Sequence, residues 1–227
     1  MVAGRSRPLT EPGLQADSSG SASGCEADAM SATGRPTRAE LAVARGKRIP
    51  HVLAEDLALV FVGINPGLWS GATGHHFAKP GNRFWPTLHR SGFTDRQLMP
   101  HEDVLLPRYG LGVTNMVGRT TARADELAPD EIRTGGRSLA RRLRPFRPRA
   151  VAIVGLGAFR IAFDRPGAQV GRSDVVVAGA PVWVLPNPSG LNAHYQLDGL
   201  AACFAELRVA LGLPDRGLGD ARSARRA

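Results

Sequence analysis

Cysteine is almost absent from the 227 residues: there are only two, Cys25 and Cys203. That excludes four-thiolate iron–sulfur clusters and cysteine-rich zinc sites. The two also stand in unlike contexts. Cys203 falls in the helical apolar pattern Leu197, Leu200, Ala201, Phe204, Leu207, where a small buried hydrophobe is expected, and neither cysteine has a catalytic setting. Long apolar runs are missing too. Nothing approaches the run of about 20 needed to cross a bilayer, and Met1 to Gly13 contains no apolar core of signal-peptide type, so a cytoplasmic location is the expectation. Acidic residues are in the minority, 20 against 29 Lys and Arg, for a net charge of +9. A surface of that sign attracts polyanions, nucleic acid ahead of acidic membrane. Charge alone does not define a site, because an arginine-rich composition can carry it without binding anything.

Apolar residues make up 43% of the chain, enough for one well-buried domain with extensions and too little for two. Residues 1–36 are dominated by Gly, Ser, Ala and Pro with no apolar period, and are expected to form a disordered leader; Met30 is a second candidate start. Residues 214–227 have the same character and are expected to be a disordered basic tail. The folded domain is then 37–213.

Within it, apolar strands alternate with helices. A short helix is expected near Arg38–Arg45, and Leu57–Ile64 is an uninterrupted apolar stretch of the kind buried on both faces in a parallel sheet. A loop with Gly71, Gly74, Pro80 and Gly81 leads to a helix around Phe84–Ser91, then a strand near Gly110–Asn115. Glu126–Arg144 reads as a helix with Pro129 and Asp130 at its start and basic residues at its end. Ala150–Gly155 is a third buried strand, followed by a helix from about Ala158, strands at Val175–Val177 and Pro181–Leu185, and a closing helix Leu197–Leu211. This alternation predicts an α/β fold, a three-layer α/β/α sandwich around a mostly parallel sheet.

Open α/β sheets hold their ligands at the C-terminal ends of the strands. Gly63-Ile64-Asn65-Pro66-Gly67 ends the first strand, and Leu185-Pro186-Asn187-Pro188-Ser189-Gly190-Leu191-Asn192-Ala193-His194 ends the last in the same style. If both loops leave one edge, Asn65 and Leu191 flank a common cleft. Small rigid residues followed by a leucine suit a wedge that enters a base stack. The plainer account is a surface loop whose leucine folds inward. Phe77, in the glycine- and proline-bounded loop Gly74-His75-His76-Phe77, suits a stacking platform, whereas Phe84 and Trp85 read as core. Adjacent His75 and His76 point apart and lack metal-ligand spacing; His76 either hydrogen-bonds near the site or faces solvent. Gly155-Leu156-Gly157 after the third strand is a weak dinucleotide fingerprint, since Arg160 occupies the third glycine position. A nucleotide-binding oxidoreductase built on that turn is a competing reading.

Taken together with Asn82-Arg83-Phe84-Trp85, Gly112-Val113-Thr114-Asn115-Met116-Val117 and Gly135-Gly136-Arg137, these motifs resemble those of the mismatch-specific, double-strand uracil-DNA glycosylases and the related thymine-DNA glycosylases, over about residues 50–212. The resemblance implies a hydrolase that flips uracil mispaired with guanine out of double-stranded DNA and cleaves its glycosidic bond. Thymine and ethenocytosine are further candidates. It implies no cofactor and no metal, no membrane association, and action as a monomer. By position, Asn65 is the residue that holds the hydrolytic water; Gly63, Ile64, Pro66, Gly67, Ser70, His76, Phe77 and Asn187 form the base pocket, with Phe77 as the stacking ring. Pro188, Ser189, Gly190, Leu191 and Asn192 form the insertion loop. One departure is Ala193, where the bacterial enzyme has an arginine that contacts the partner strand; either discrimination of the opposite guanine is altered or Asn192 or His194 substitutes. A non-catalytic lesion-binding protein of the same fold is the alternative, and the presence of Asn65 argues against it.

Overall fold

The computed structural model describes residues 35–217. The expectations for residues 1–34 of the leader and for residues 218–227 lie outside this range, as does Cys25, whereas Arg35, at the end of the expected leader, lies over the Trp69 ring. Five strands form one sheet in the order β2-β1-β3-β5-β4: β1 is Leu59–Gly63, β2 Leu111–Asn115, β3 Val151–Val154, β4 Gly171–Val177 and β5 Ala180–Leu185. The first three and β5 run parallel, with Leu59 opposite Leu111 and Gly63 opposite Asn115 between β1 and β2. β4 is antiparallel, paired to β5 through a turn in which Ala178 and Gly179 both have positive φ. It lies at the sheet edge, and its residues alternate between exposed and half-buried until Val177.

Successive side chains of a strand point to opposite faces, so each central strand serves two cores. Val60, Val62, Val151, Ile153, Val182 and Val184 pack against α4 (Pro129–Leu143) and α5 (Leu156–Phe163) through Ile132, Leu139 and Phe159. Leu59, Phe61, Ala152, Val154, Trp183 and Leu185 face α3 (Phe84–Arg90) and α6 (Leu197–Ala210) through Phe84, Leu88, Phe204 and Leu207. The result is the expected three-layer sandwich. Phe61 anchors the second core, edge-on to Phe84 and Phe93 and stacked on Phe204 at 5.6 Å. A buried phenylalanine contributes about 2–3 kcal/mol by area alone, more with aromatic contacts. Phe84 and Trp85 are core, as their spacing indicates.

Two glycines let α4 lie close against its neighbours: a Cβ on Gly135 would meet Met116 O at 2.8 Å, and one on Gly136 would meet Ala162 at 3.0 Å. Its dipole is complemented by Asp130 and Glu131 in the first turn and Arg141 and Arg142 in the last. Two elements differ from the sequence reading. Leu68–Thr73, expected as loop, is a helix, α2, ended by left-handed Gly74, and Pro100–Tyr109 forms a 3-10 helix. The first short helix, α1 (Arg38–Val43), is closed by a capping box between Thr37 and Glu40. Cys203 is partly rather than fully buried. Past the expected domain end, Asp215 accepts from Arg208 at 2.6 Å. Among the described residues no helix is long and apolar enough to cross a membrane.

Candidate active site at the strand ends

After β1 the chain moves to β2 on one side of it, then to β3 on the other. Crossovers leaving in opposite directions open a crevice at the C-terminal ends of the strands. A cleft of about 450 Å³ occupies that crevice. All four parallel strands deliver residues to it: Ile64 and Asn65 follow β1, Asn115 ends β2, Val154 ends β3 and Asn187 follows β5.

Asn65 is held on one side only. Its Nδ2 donates to Thr121 Oγ1 at 2.7 Å, Arg119 O at 3.1 Å and Pro66 O at 3.2 Å. Thr121 donates its own hydroxyl proton to Arg123 O, so toward Asn65 it can only accept. Three acceptors around one end of the amide identify that end as NH2, which settles an assignment that heavy-atom positions alone leave open. The oxygen Oδ1 takes no protein hydrogen bond among the described residues and is left as an acceptor lining the cleft. Backbone bonds lace the turn to the strand β2 extension: Val117 N to Ile64 O at 2.9 Å and Thr121 N to Pro66 O at 3.1 Å.

Phe77 forms one wall. Its ring stacks on Phe84 at 4.0 Å, and its backbone has φ of 53°, a strained value for an aromatic residue. Residue 76 sustains that strain because it is bonded on every side. His76 N donates to Asp103 Oδ2 at 2.9 Å, its carbonyl accepts from Trp85 Nε1 at 3.2 Å, and Nε2 lies 2.9 Å from Pro50 O. A carbonyl accepts only, so Nε2 carries the proton and Nδ1 is the acceptor, 3.4 Å from Asn115 Nδ2. Burial drives the His76 pKa down to about 4, against the opposing pull of the Pro50 carbonyl and the Asp103 carboxylate. The imidazole is therefore neutral near pH 7. Behind Phe77, Gly63 leaves room that no other residue could: a Cβ there would stand 2.7 Å from Asn115 Oδ1 and 3.4 Å from the Phe77 ring.

The loop after β5 forms the opposite wall. Asn187 Oδ1 accepts from Ser189 N at 3.0 Å, and Asn192 Nδ2 donates to Asn187 O at 2.8 Å, which curls the loop on itself. Leu191 projects from it, 79% exposed, contrary to the inward-folded alternative. Of the residues singled out from the sequence, Ile64, Asn65, Pro66, Gly67, Ser70, His76, Phe77, Asn187, Ser189, Leu191 and Asn192 line the one cleft. Gly63, Pro188 and Gly190 stand behind it: Gly63 backs Phe77, Pro188 is buried, and Gly190 packs on Gly81. His76 is buried rather than solvent-facing.

The cleft also includes Ile49, Lys79, Asn82, Asn115, Val154 and the segment Thr121–Asp125, none of which the sequence reading assigned to it. Asn115 carried the same signal as Asn65, a polar residue at the end of a buried strand. Thr121 gave none. The cleft's lone carboxylate among the described residues, Asp125, is exposed and bound to Arg123 at 2.6 Å, so no free carboxylate faces the Asn65 oxygen. The chemistry available here is amide and backbone hydrogen bonding in a partly apolar cavity, suited to a planar polar ligand stacked on Phe77 and a water held by an acceptor.

The arginines toward the end of α4 do not all face solvent. Arg142 is half-buried and donates to Thr114 Oγ1 at 3.1 Å and to the carbonyl of Asn115, holding the end of β2, while Arg137, Arg141 and Arg144 are exposed.

Residues 50–208 match the family model of the Uracil DNA glycosylase superfamily. Among solved structures, the chain is similar to the solution NMR structure of a Methanosarcina acetivorans protein provisionally described as a uracil DNA glycosylase. That match has 20% identity and a TM-score of 0.49, and covers 72% of this chain and 98% of the other.

Proposed function

Since the chain belongs to the uracil DNA glycosylase superfamily, we propose that it excises uracil mispaired with guanine from double-stranded DNA, by extruding the base into the cleft and hydrolysing its N-glycosidic bond. The observation that carries this reading is the fixed amide of Asn65, with Nδ2 committed to protein and Oδ1 open to the cleft.

In the proposed reaction the bond from the sugar carbon to the base nitrogen breaks, the electron pair leaves with the base, and water adds to the sugar carbon as its released proton passes to bulk water. Asn65 cannot accept a proton at neutral pH, so it orients the water rather than activating it as a base. Rate enhancement must then come from stabilising the departing anion. The Phe77 N–H, which has no protein acceptor among the described residues, and the Ile64 N–H are the proposed donors to the base carbonyl oxygens. Asn115 brings a further amide to the cleft lining. Slow turnover is the expected consequence of lacking a general base.

Extruding a base costs a few kcal/mol, least at a mispair, which favours G·U over A·U. Leu191 fills the space left in the stack. Ala193 carries only a methyl group and offers no hydrogen bond to the opposite strand, so discrimination rests more on the weakness of the pair. The test uses duplexes bearing one G·U, A·U or G·T pair and a single strand bearing uracil, treated with alkali after incubation to reveal abasic sites. Strand breaks fastest at G·U, abolished in Asn65→Ala with DNA binding retained, support the proposal. Binding to every lesion without breaks would instead favour a lesion-binding protein.

A further inference from the structure

Arg83 closes the loop that carries Phe77 and caps the start of α3, yet its side chain serves the opposite wall of the cleft. The guanidinium donates to Tyr195 O at 2.6 Å, to Asn192 O at 2.9 Å and to Ser189 O, and the Arg83 backbone N–H donates to Pro188 O at 2.9 Å. These acceptors bracket Leu191 on both sides. Gly190 completes the junction: a Cβ there would stand 2.8 Å from Gly81 O, so the two loops meet backbone to backbone. Three of its hydrogens are used on these carbonyls and its Nε is buried without a partner, so the guanidinium is turned toward the loop it holds. No carboxylate pairs with Arg83 among the described residues; a planar cation with a fork of donors is the group that can satisfy several convergent carbonyls at once.

Resting on the reading of Leu191 as a wedge, we infer that Arg83 is a positioning residue: it holds the 188–195 loop in the geometry from which Leu191 enters the stack, and it joins that loop to the Phe77 platform so that wedge insertion and base capture are one movement. A leucine on a free loop would yield when pressed against stacked bases. One braced from the α3 side transmits the push, and its placement relative to Phe77 is fixed by the same guanidinium.

The experiment measures uracil excision by Arg83→Met and Arg83→Lys from a G·U duplex and from a single strand, alone and combined with Leu191→Ala, with thermal unfolding of each protein alongside. Arg83→Met is expected to lose roughly tenfold or more on duplex, since misplacing a reacting assembly by an ångström has costs of that order, and much less on the single strand. Arg83→Lys, which keeps the charge but can reach only some of the carbonyls, should fall between and carries the test if the methionine variant does not fold. Because both residues serve one step, the double variant should lose no more on duplex than the worse single variant. Equal losses on both substrates, or losses that multiply in the double variant, would overturn the inference while leaving the wedge intact if Leu191→Ala is itself duplex-selective. If Leu191→Ala shows no duplex selectivity, the wedge fails, and Arg83 as its brace fails with it.

Discussion

Thr121 Oγ1 accepts from Asn65 Nδ2 at 2.7 Å and donates its own hydrogen bond to Arg123 O at the same distance. The hydroxyl thereby acts as a fixed acceptor, and the orientation of the Asn65 amide depends on it. Thr121→Val keeps the shape and removes the acceptor, leaving Arg119 O and Pro66 O as the longer contacts. One neutral hydrogen bond contributes about 1 kcal/mol, so kcat on a G·U duplex should drop roughly fivefold with KM little changed. Steady-state kinetics read the two apart; a rise in KM with kcat intact would show that Thr121 supports base binding instead.

The frame of the molecule was legible because buried parallel strands are continuous apolar runs. Leu57–Ile64, Ala150–Gly155 and Pro181–Leu185 announce themselves, and the sheet-edge rule then points to Asn65 and to the loop bearing Leu191. What escaped was set by contacts between distant segments. Thr121 meets Asn65 across 56 positions, and Arg83 reaches Ser189 across 106. Neither has a local pattern. α2 was hidden for a related reason: Gly71 reads as a loop residue, yet a Cβ there would strike Thr120 Oγ1 at 2.7 Å, so tertiary packing selects a glycine inside a helix. Asn115 was within reach, as it ends β2 in the way Asn65 follows β1.

Leu191 is an exposed apolar side chain on a loop whose backbone is tied down on both sides. Leu191→Ala removes no packing from the folded protein, so stability should change by less than about 0.5 kcal/mol. Excision from duplex should nevertheless fall several-fold more than excision from a single strand, where there is no stack to fill. Parallel time courses on the two substrates measure the ratio, and a ratio of one would remove Leu191 from the extrusion step.

Gly63→Ala introduces a methyl group 2.7 Å from Asn115 Oδ1 and 3.4 Å from the Phe77 ring. Asn115 is tied to His76 and Phe77 leans on Phe84, so neither withdraws freely. Overpacking of this kind costs about 1–3 kcal/mol, seen as a lower urea midpoint. If Phe77 gives way it moves into the cleft, and on the proposed function KM for the uracil duplex should rise beyond what the stability loss explains. A destabilised variant with unchanged KM would place the yielding on the Asn115 side.

His76 links the site to acidity. Burial lowers its pKa to about 4 from 6.5, so between those values the unfolded chain binds a proton that the folded protein refuses. Stability therefore declines as pH falls through that window, by up to about 3 kcal/mol for a shift of this size. Urea unfolding at several pH values should show the slope in the native protein and a flatter one in His76→Gln, which cannot titrate but can still donate to Pro50 O; equal slopes would exclude His76 as the source. Excision should fail on the same side. Protonation makes Nδ1 a donor facing Asn115 Nδ2, also a donor at 3.4 Å, and the pair must separate. Asn115 would then turn or withdraw from the pocket before the protein unfolds, so activity at a pH where the fold persists should drop in the native protein more steeply than in the variant.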